Sequence, residues 1–341
     1  MWQILLIISL IHIFFVFIAV IYNVLKKSKK EYQKNIEFPE ISILIPAYNE
    51  EKNIENKIKN ILVQDYPQEK LEILVGSDGS TDKTVEKARK FDNVKVFDFK
   101  RTGKSGVLNK LFRESSGEYI LISDADTVFL SKDAIKKAVL SKAEMVTGIV
   151  GSKELPGFKK YWNVEFNIRN FESYFGKCVV SSGTFIFIKR EYFPKIPENI
   201  IADDLFIPLG VIKNGGKSIQ NDEIICKTEH EKYTTKSYFR KKIRIVRGGI
   251  QILKEYFELK SDFISFLFFF LHKISRWYMA FFFSLFLLAF NIKIFGIFAM
   301  ISIILFLISR KFRMFMIDLF VPVIATIIEF IKPTKFGGWE F

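Results

Sequence analysis

The chain begins and ends in long apolar runs, and between them short apolar runs alternate with amphipathic stretches. From Trp2 to Tyr22 nearly every residue is Ile, Leu, Phe or Val, about the ~20 residues that a helix needs to cross ~30 Å of hydrocarbon. A cleaved leader fits poorly, because the run exceeds the usual ~7–15 apolar residues, starts without a basic region and lacks a small-residue cleavage site. Lys26, Lys27, Lys29 and Lys30 follow, so the positive-inside rule predicts an outside N-terminus and a cytoplasmic middle. His12 falls mid-span, where a helix-packing contact is the expected role.

At the far end, Ser261–Lys273 is Phe-rich but closes on His272, Lys273 and Arg276, which predicts a helix lying in the membrane interface. Trp277–Phe290 and Ile294–Ser309, separated by Asn291 and Lys293, predict a hairpin of two short spans. Arg310, Lys311 and Arg313 return the chain to the cytoplasm. Met314–Ile331 is apolar yet contains Asp318, Pro322 and Glu329, and it either spans or lies in the interface.

The middle reads as strands alternating with helices. Ile41–Pro46, Leu71–Gly76, Val94–Phe97 and Tyr119–Ser123 are short apolar runs expected as buried strands. Glu50–Val63, Asp82–Phe91 and Gly106–Glu114 are expected as helices, the first placing Ile54, Ile58, Ile61 and Leu62 on one face. This alternation predicts an α/β domain with a largely parallel sheet and right-handed crossovers. Ligands in such sheets bind at the carboxyl edge of the strands.

Composition sharpens the division. The 341 residues are 49% hydrophobic and 26% charged, which would suit a soluble protein. However, residues 1–25 hold no charged side chain, and residues 263–331 hold 17 of the 38 Phe with eight charged side chains. Residues 26–262 carry 43 basic against 34 acidic side chains, a net of +9. The expected organisation is an N-terminal transmembrane helix (1–25), a cytoplasmic catalytic domain (26–262) and C-terminal interfacial and transmembrane segments (263–341). A disordered chain and a disulfide scaffold are excluded by composition. Cys178 and Cys226 are expected reduced and structural. The overall charge of +14 is strongest beside apolar segments, which suits membrane phosphates or a polyanionic ligand better than nucleic acid.

Three strand ends carry acidic, turn-rich loops: Pro46–Glu50, Ser77–Asp82 and Ser123–Asp126. Singly these are ordinary turn residues and helix caps. Together on one edge they form a candidate site. Neither a P-loop nor a dinucleotide fingerprint is present, since Asp98 stands where a P-loop needs its first Gly. Asp124 and Asp126 project to the same side at a strand end, and their mutual repulsion suits a divalent cation shared with a diphosphate. Mg2+ or Mn2+ fits such an all-oxygen site. Asp203 and Asp204 open a helical pattern, where they either complement the helix dipole or supply a general base. The basic stretch Tyr238–Arg247 either faces lipid headgroups or stabilises a departing diphosphate.

The ordered series Ile-Pro-Ala-Tyr-Asn-Glu (45–50), Ser-Asp-Gly-Ser-Thr-Asp (77–82), Gly-Lys-Ser-Gly-Val-Leu-Asn (103–109), Asp-Ala-Asp (124–126) and Asp-Asp (203–204) resembles the family 2 glycosyltransferases of GT-A fold. With its flanking apolar segments the chain is similar to the membrane-embedded synthases of hyaluronan, chitin, cellulose and poly-N-acetylglucosamine. The resemblance implies that Pro46, Ala47, Tyr48, Glu50 and Asp78 cradle the nucleoside and that Lys104 approaches the nucleotide. It implies that Asp124 lies near the ribose and diphosphate, that Asp124 and Asp126 hold the metal, and that Asp204, with Asp203 beside it, is the catalytic carboxylate. Thr228-Glu229 resembles the segment before the family's basic helix, with His230 on the surface.

One departure stands out. Where processive synthases carry Gln-x-x-Arg-Trp, this chain reads Lys241-Lys-Ile-Arg244-Ile245. Arg244 is retained for the leaving diphosphate, but the indole that could stack on an acceptor sugar is missing. The expected function is therefore inverting transfer of one sugar from a nucleotide diphosphate sugar, a UDP-sugar first, to a glycan or lipid-linked glycan at the cell membrane. Processive polysaccharide synthesis, transfer to a polyprenyl phosphate and a silent nucleotide-sugar-binding partner are the alternatives. Partners are the donor, the acceptor and membrane lipids, with no nucleic acid. Sugar specificity is expected from the segment Trp162–Thr184.

Overall fold

A computed structural model describes residues 2–25, 37–151, 156–228, 234–259 and 262–333, with no side chain described at 156–163, 254–259 and 310–311. Lys26, Lys27, Lys29, Lys30, Glu229 and His230 lie outside the described residues, as does the side chain of Trp162. The N-terminal apolar run is helix α1 (Trp2–Leu25). Strand β1 (Ile41–Ala47) is buried along its whole length, and α2 (Ile54–Leu62), β2 (Leu71–Asp78), α3 (Thr84–Ala88), β3 (Val94–Phe99), α4 (Gly103–Glu114) and β4 (Tyr119–Ile122) follow. Next come β5 (Thr127–Phe129), α5 (Ala134–Leu140), β6 (Met145–Val150), α6 (Pro156–Tyr174) and β7 (Ile186–Lys189). The remaining central elements are α7 (Asp203–Lys213), β8 (Ser218–Thr228) and α8 (Thr235–Leu259).

The strands form one eight-stranded sheet in the order β3-β2-β1-β4-β7-β6-β8-β5. β3, β2, β1 and β4 run parallel, β6 and β8 are also parallel, and β7 and β5 pair antiparallel with their neighbours. Pro46 is tolerated in a central strand because β4 stops opposite Leu44, so Pro46 has a ladder partner only on the β2 side. Both faces of the sheet are covered by apolar clusters, one including Leu44, Leu74 and Ile186, the other Ile43, Val75 and Phe187. This burial on both faces is why these strands read as continuous apolar runs.

The C-terminal segments differ from expectation at one point. Ser261–Lys273 is not a separate interfacial helix. α9 (Phe263–Phe269) runs through a π-helical turn at Phe270–Ile274 into α10 (Ser275–Phe290), a continuous apolar rod over Phe263–Phe290. α11 (Ile292–Ile308) and α12 (Arg310–Ile331) complete the chain. Among the described residues, Trp2–Leu25, Phe263–Phe290 and Phe312–Ile331 are long and apolar enough to cross a membrane, and Ile292–Ile308 is a shorter apolar helix.

These helices are tied to the sheet by polar contacts as well as apolar ones. His12 Nδ1 lies 2.9 Å from the carbonyl of Leu271, the packing contact expected of it. Glu165 on α6 is buried and meets Arg169 at 3.1 Å, Lys273 at 2.9 Å, Arg276 at 3.0 Å and His272 at 3.2 Å. The other imidazole nitrogen of His272 lies 2.8 Å from Glu172. Burial opposes ionisation of Glu165, but Lys273, His272 and Arg169 outweigh it and hold the carboxyl well below the usual range. Arg247 on α8 donates to Glu329 on α12 at 2.7 Å. Gly249 lets α8 approach α10, since a Cβ there would overlap the ring of Trp277. Cys178 and Cys226 are free and buried.

Replacing Glu165 with Gln leaves Arg169, Lys273 and Arg276 without their shared counter-charge. It should cost about 3–5 kcal/mol, the penalty for breaking a buried ion pair. A melting curve of the detergent-solubilised variant should move down by several degrees, whereas an unchanged curve would show the cluster to be dispensable.

Candidate active site

β1, β2 and β4 are parallel and in register, so the loops after them open on one edge of the sheet. The first two are laced together. Glu50 N–H donates to Thr84 Oγ1 at 2.7 Å, Glu51 N–H to Asp82 at 3.0 Å, and Thr81 N–H to Asn49 at 2.9 Å. Asn49 takes a left-handed conformation (φ 56°), which Asn accepts more readily than most residues. This lacing uses Glu50–Asn53, so α2 starts at Ile54 and not at the expected Glu50. Tyr48 lies under the guanidinium of Arg101, 3.4 Å from its ring centroid, a cation–π contact between residues distant in sequence.

Asp78 is fully buried and accepts from the backbone N–H groups of Thr102 (2.6 Å) and Gly103 (3.0 Å). Its carboxylate thereby fixes the start of α4, which begins at Gly103 and not at the expected Gly106. Lys104 follows on the first turn. Its Nζ meets Asp124 at 2.7 Å and Asp203 at 2.9 Å. Burial alone would lower the lysine's pKa, but the two carboxylates reverse that and hold it protonated. Lys104 therefore joins the end of β4 to the start of α7.

Beneath this loop lies Lys57, fully buried on α2, donating to Ser123 (2.6 Å) and Thr127 (3.2 Å) with its ammonium 4.1 Å from the Phe129 ring centroid. Burial depresses its pKa to about 8, partly offset by Cys226, Asp124 and Asp126. Lys57 was missed because a lysine on an amphipathic helix ordinarily marks the solvated face.

The carboxylates are under strain. Asp126 is raised to about 6 by burial and by Asp124, and Glu50 to about 7 by burial, with Asp126 and Asp124 adding to it. Such crowding suits a divalent cation. Gly183 keeps the adjoining space clear, since a Cβ there would lie 2.9 Å from Asp124 Oδ2 and 3.2 Å from Lys104 Nζ. Among the described residues no three His, Cys, Asp or Glu side chains gather as a metal site. A cation at Asp124 and Asp126 would therefore draw its other ligands from substrate oxygens and water.

A cavity of about 480 Å³ runs from Lys104, Asp124 and Gly183 past Asp203 and Asp204 to Arg244 and Ile245 on α8, and on to Trp277 and Pro322 on the apolar helices. Asp204, raised to about 6 by burial and by Asp203, borders this space. Both aspartates open α7 as expected. Arg244 lines the same cavity as Asp124 and Asp204, while Pro46, Ala47, Tyr48 and Glu50 lie at the neighbouring strand edge and are not among its lining residues. The indole missing at Ile245 is supplied from another helix, by Trp277. No sequence pattern pointed to it.

The sequence model described as Glycosyl transferase family 2 matches residues 42–196, ending before Asp203. The probable glycosyltransferase YdaM of Bacillus subtilis is 30% identical over 275 residues, covering 72% of this chain and 64% of the relative. This chain thus spans under two thirds of that relative's length. The dolichyl N-acetyl-alpha-D-glucosaminyl phosphate 3-beta-D-2,3-diacetamido-2,3-dideoxy-beta-D-glucuronosyltransferase of Methanococcus voltae is 28% identical, covering 64% of this chain and 76% of the relative. The structure of a mannosyltransferase from Pyrobaculum calidifontis, solved with GDP-Man and Mn2+, is similar in fold with a TM-score of 0.70 and 21% identity. It covers 95% of this chain and 99% of that one.

Raised carboxyl pKa values have a measurable sign. An unfolded Glu50 ionises near 4.5, so between about 4.5 and 7 the folded protein keeps a proton that the unfolded chain has lost. The associated stability fades as pH rises through about 7. Glu50→Gln cannot ionise, yet it can still accept from Asn53. It should raise the melting temperature at about pH 8 by more than at about pH 5, and equal shifts would remove the burial of Glu50 as the cause.

Proposed function

We propose, on the premise that the chain belongs to glycosyltransferase family 2, that it is a membrane-bound inverting enzyme that moves one sugar from a nucleotide diphosphate sugar to an acceptor hydroxyl. The observation that carries this reading is the single cavity joining Lys104 and Asp124 to Asp204, Arg244 and the apolar helices. Residues 26–262 form the catalytic part on the cytoplasmic side in this reading, with α1 and the rod Phe263–Phe290 as spans. The nucleoside lies against Pro46–Glu50, and Asp78 acts as a positioning residue through the start of α4. A UDP-sugar is the first donor to test. GDP-mannose, bound in the archaeal mannosyltransferase, is the second.

Asp204 accepts the proton of the acceptor hydroxyl as that oxygen bonds the anomeric carbon, and the bond from that carbon to the diphosphate breaks on the opposite face, its electron pair leaving with the diphosphate. Arg244 and Lys104 offset the charge that grows on the leaving group. Mg2+ or Mn2+ held by Asp124 and Asp126 would supply further neutralisation of that diphosphate. Asp203, held by Lys104, stands beside Asp204 and helps to keep the base's pKa high. Trp277 offers a face on which an acceptor sugar can stack. Ile245 on α8 makes single transfer the reading to test first, while Trp277, which brings an indole to the same cavity from α10, keeps processive synthesis as the alternative that product length on a gel distinguishes.

The pKa of Asp204 near 6 means that the ionised base gains population as pH rises. The kcat/KM should therefore increase through about pH 6 and level off above it. Asp204→Asn should keep donor affinity and lose about 10²–10⁴ of turnover, the usual worth of general base catalysis; near-wild-type turnover would refute the assignment. Asp126→Ala should weaken Mn2+-dependent binding of a nucleoside diphosphate in calorimetry. Identical titrations with and without Mn2+ in both proteins would count against a cation at this pair.

A further inference from the structure

We infer that Lys57 is a positioning residue for the donor half of the site, its buried ammonium holding both ends of the turn over 123–127 and with them the carboxylates of Asp124 and Asp126. This deepens the transferase reading and rests on it for what that pair binds. Lys57 Nζ donates to Ser123 Oγ at 2.6 Å and to Thr127 Oγ1 at 3.2 Å, and it lies 4.1 Å from the centroid of the Phe129 ring. The N–H groups of the ammonium are thereby all directed, and among the described residues none of them meets a carboxylate. An ammonium donates and never accepts, so each hydroxyl must receive the lysine's hydrogen and turn its own elsewhere. Ser123 Oγ donates on to the carbonyl of Thr184, and Thr127 Oγ1 donates to the carbonyl of Asp124 at 2.8 Å. On its other side Asp124 is fixed by its N–H, which donates to the carbonyl of Gly183 at 3.3 Å. The two hydroxyls stand 3.2 Å apart. Without the ammonium one can donate to the other and release the carbonyl that it held.

The attachment of α2 does not require this lysine. Asn60, one turn further along, donates to the carbonyl of Phe129 at 3.0 Å and accepts from its N–H at 2.7 Å, and Gln64 donates to the carbonyl of Ser131 at 3.3 Å. An unbranched apolar side chain would fill the space beside Ile54, Ile58 and Ile61 without the cost of burying a charge. What it would not do is direct the two hydroxyls or set a positive charge beneath the carboxylates, which interact with it through space. With the turn held in one shape beforehand, binding of a cation and a diphosphate does not also have to order it.

The test is calorimetry of UDP and of GDP with and without Mn2+, on the full chain in detergent, for the wild type, Lys57→Met, Thr127→Val and Ile58→Val. Lys57→Met keeps the length of the side chain, and Thr127→Val keeps the shape but removes the acceptor, so the second variant carries the test if the first does not fold. Each should lose about tenfold of the affinity that Mn2+ adds, the worth of one hydrogen bond from a charged donor. In the Mn2+-free protein the amides over 123–127 should exchange their hydrogens faster in both variants than in the wild type. Ile58→Val, equally buried on the same face of α2, should lower the melting temperature and leave both readouts at wild-type values. An unchanged Mn2+ effect in Lys57→Met and Thr127→Val would overturn this inference and leave the transferase reading standing. An equal loss in Ile58→Val would reduce Lys57 to packing and overturn it too. A wild type that binds nucleotide equally with and without Mn2+ would remove the cation and this inference together, and one that binds neither nucleotide would remove the transferase reading itself.

Discussion

One ammonium group holds the site together. Lys104 stands between Asp124, at the end of β4, and Asp203, at the start of α7. Without that charge, Asp124, Asp203 and Asp204, which all line one cavity, would lose the cation that offsets their repulsion. The lysine is itself placed by Asp78, whose buried carboxylate holds the N–H groups that precede it. The end of β4 and the start of α7 are thus joined through a chain of contacts that begins on β2.

The attachment of the apolar helices obeys the same logic of counter-charge. Glu165 and Glu172 reach from α6 to the π turn, and the cations they bind include two that wall the cavity beside Asp204. α8 is held from the opposite side by Arg247 and Glu329, and by the close approach that Gly249 permits. The cavity therefore has one wall from the sheet domain and another from helices long enough to span a bilayer.

Much of the sheet was legible because burial on both faces leaves an unbroken apolar signature, as in Ile41–Pro46 and Tyr119–Ser123. The acidic loops were legible because three of them follow such runs. What stayed hidden depends on contacts distant in sequence. Lys57 shares the buried face of α2 with Ile54, Ile58 and Ile61, and only the loop at Ser123–Thr127 explains a cation there. The antiparallel strand β5 is three residues long, too short for a periodic signal. His272, Lys273 and Arg276 suggested the end of an interfacial helix because their partner, Glu165, lies more than a hundred positions earlier.

The π turn at Phe270–Ile274 also bears on how the chain changes over time. Such a turn takes up one residue more than an α-helical path, and each residue corresponds to about 100° of helix rotation. The helix beyond it keeps a different angular phase from the helix before it. Arg276, Trp277 and Met279 face the cavity in the phase set after Ile274. Single-residue insertions and deletions within Phe263–Ile274 are therefore equivalent to turning the cavity wall about its own axis, even though none of those twelve positions lines the cavity except Lys273. Length is what this segment must preserve, together with the side chains of His272 and Lys273 that meet Glu165.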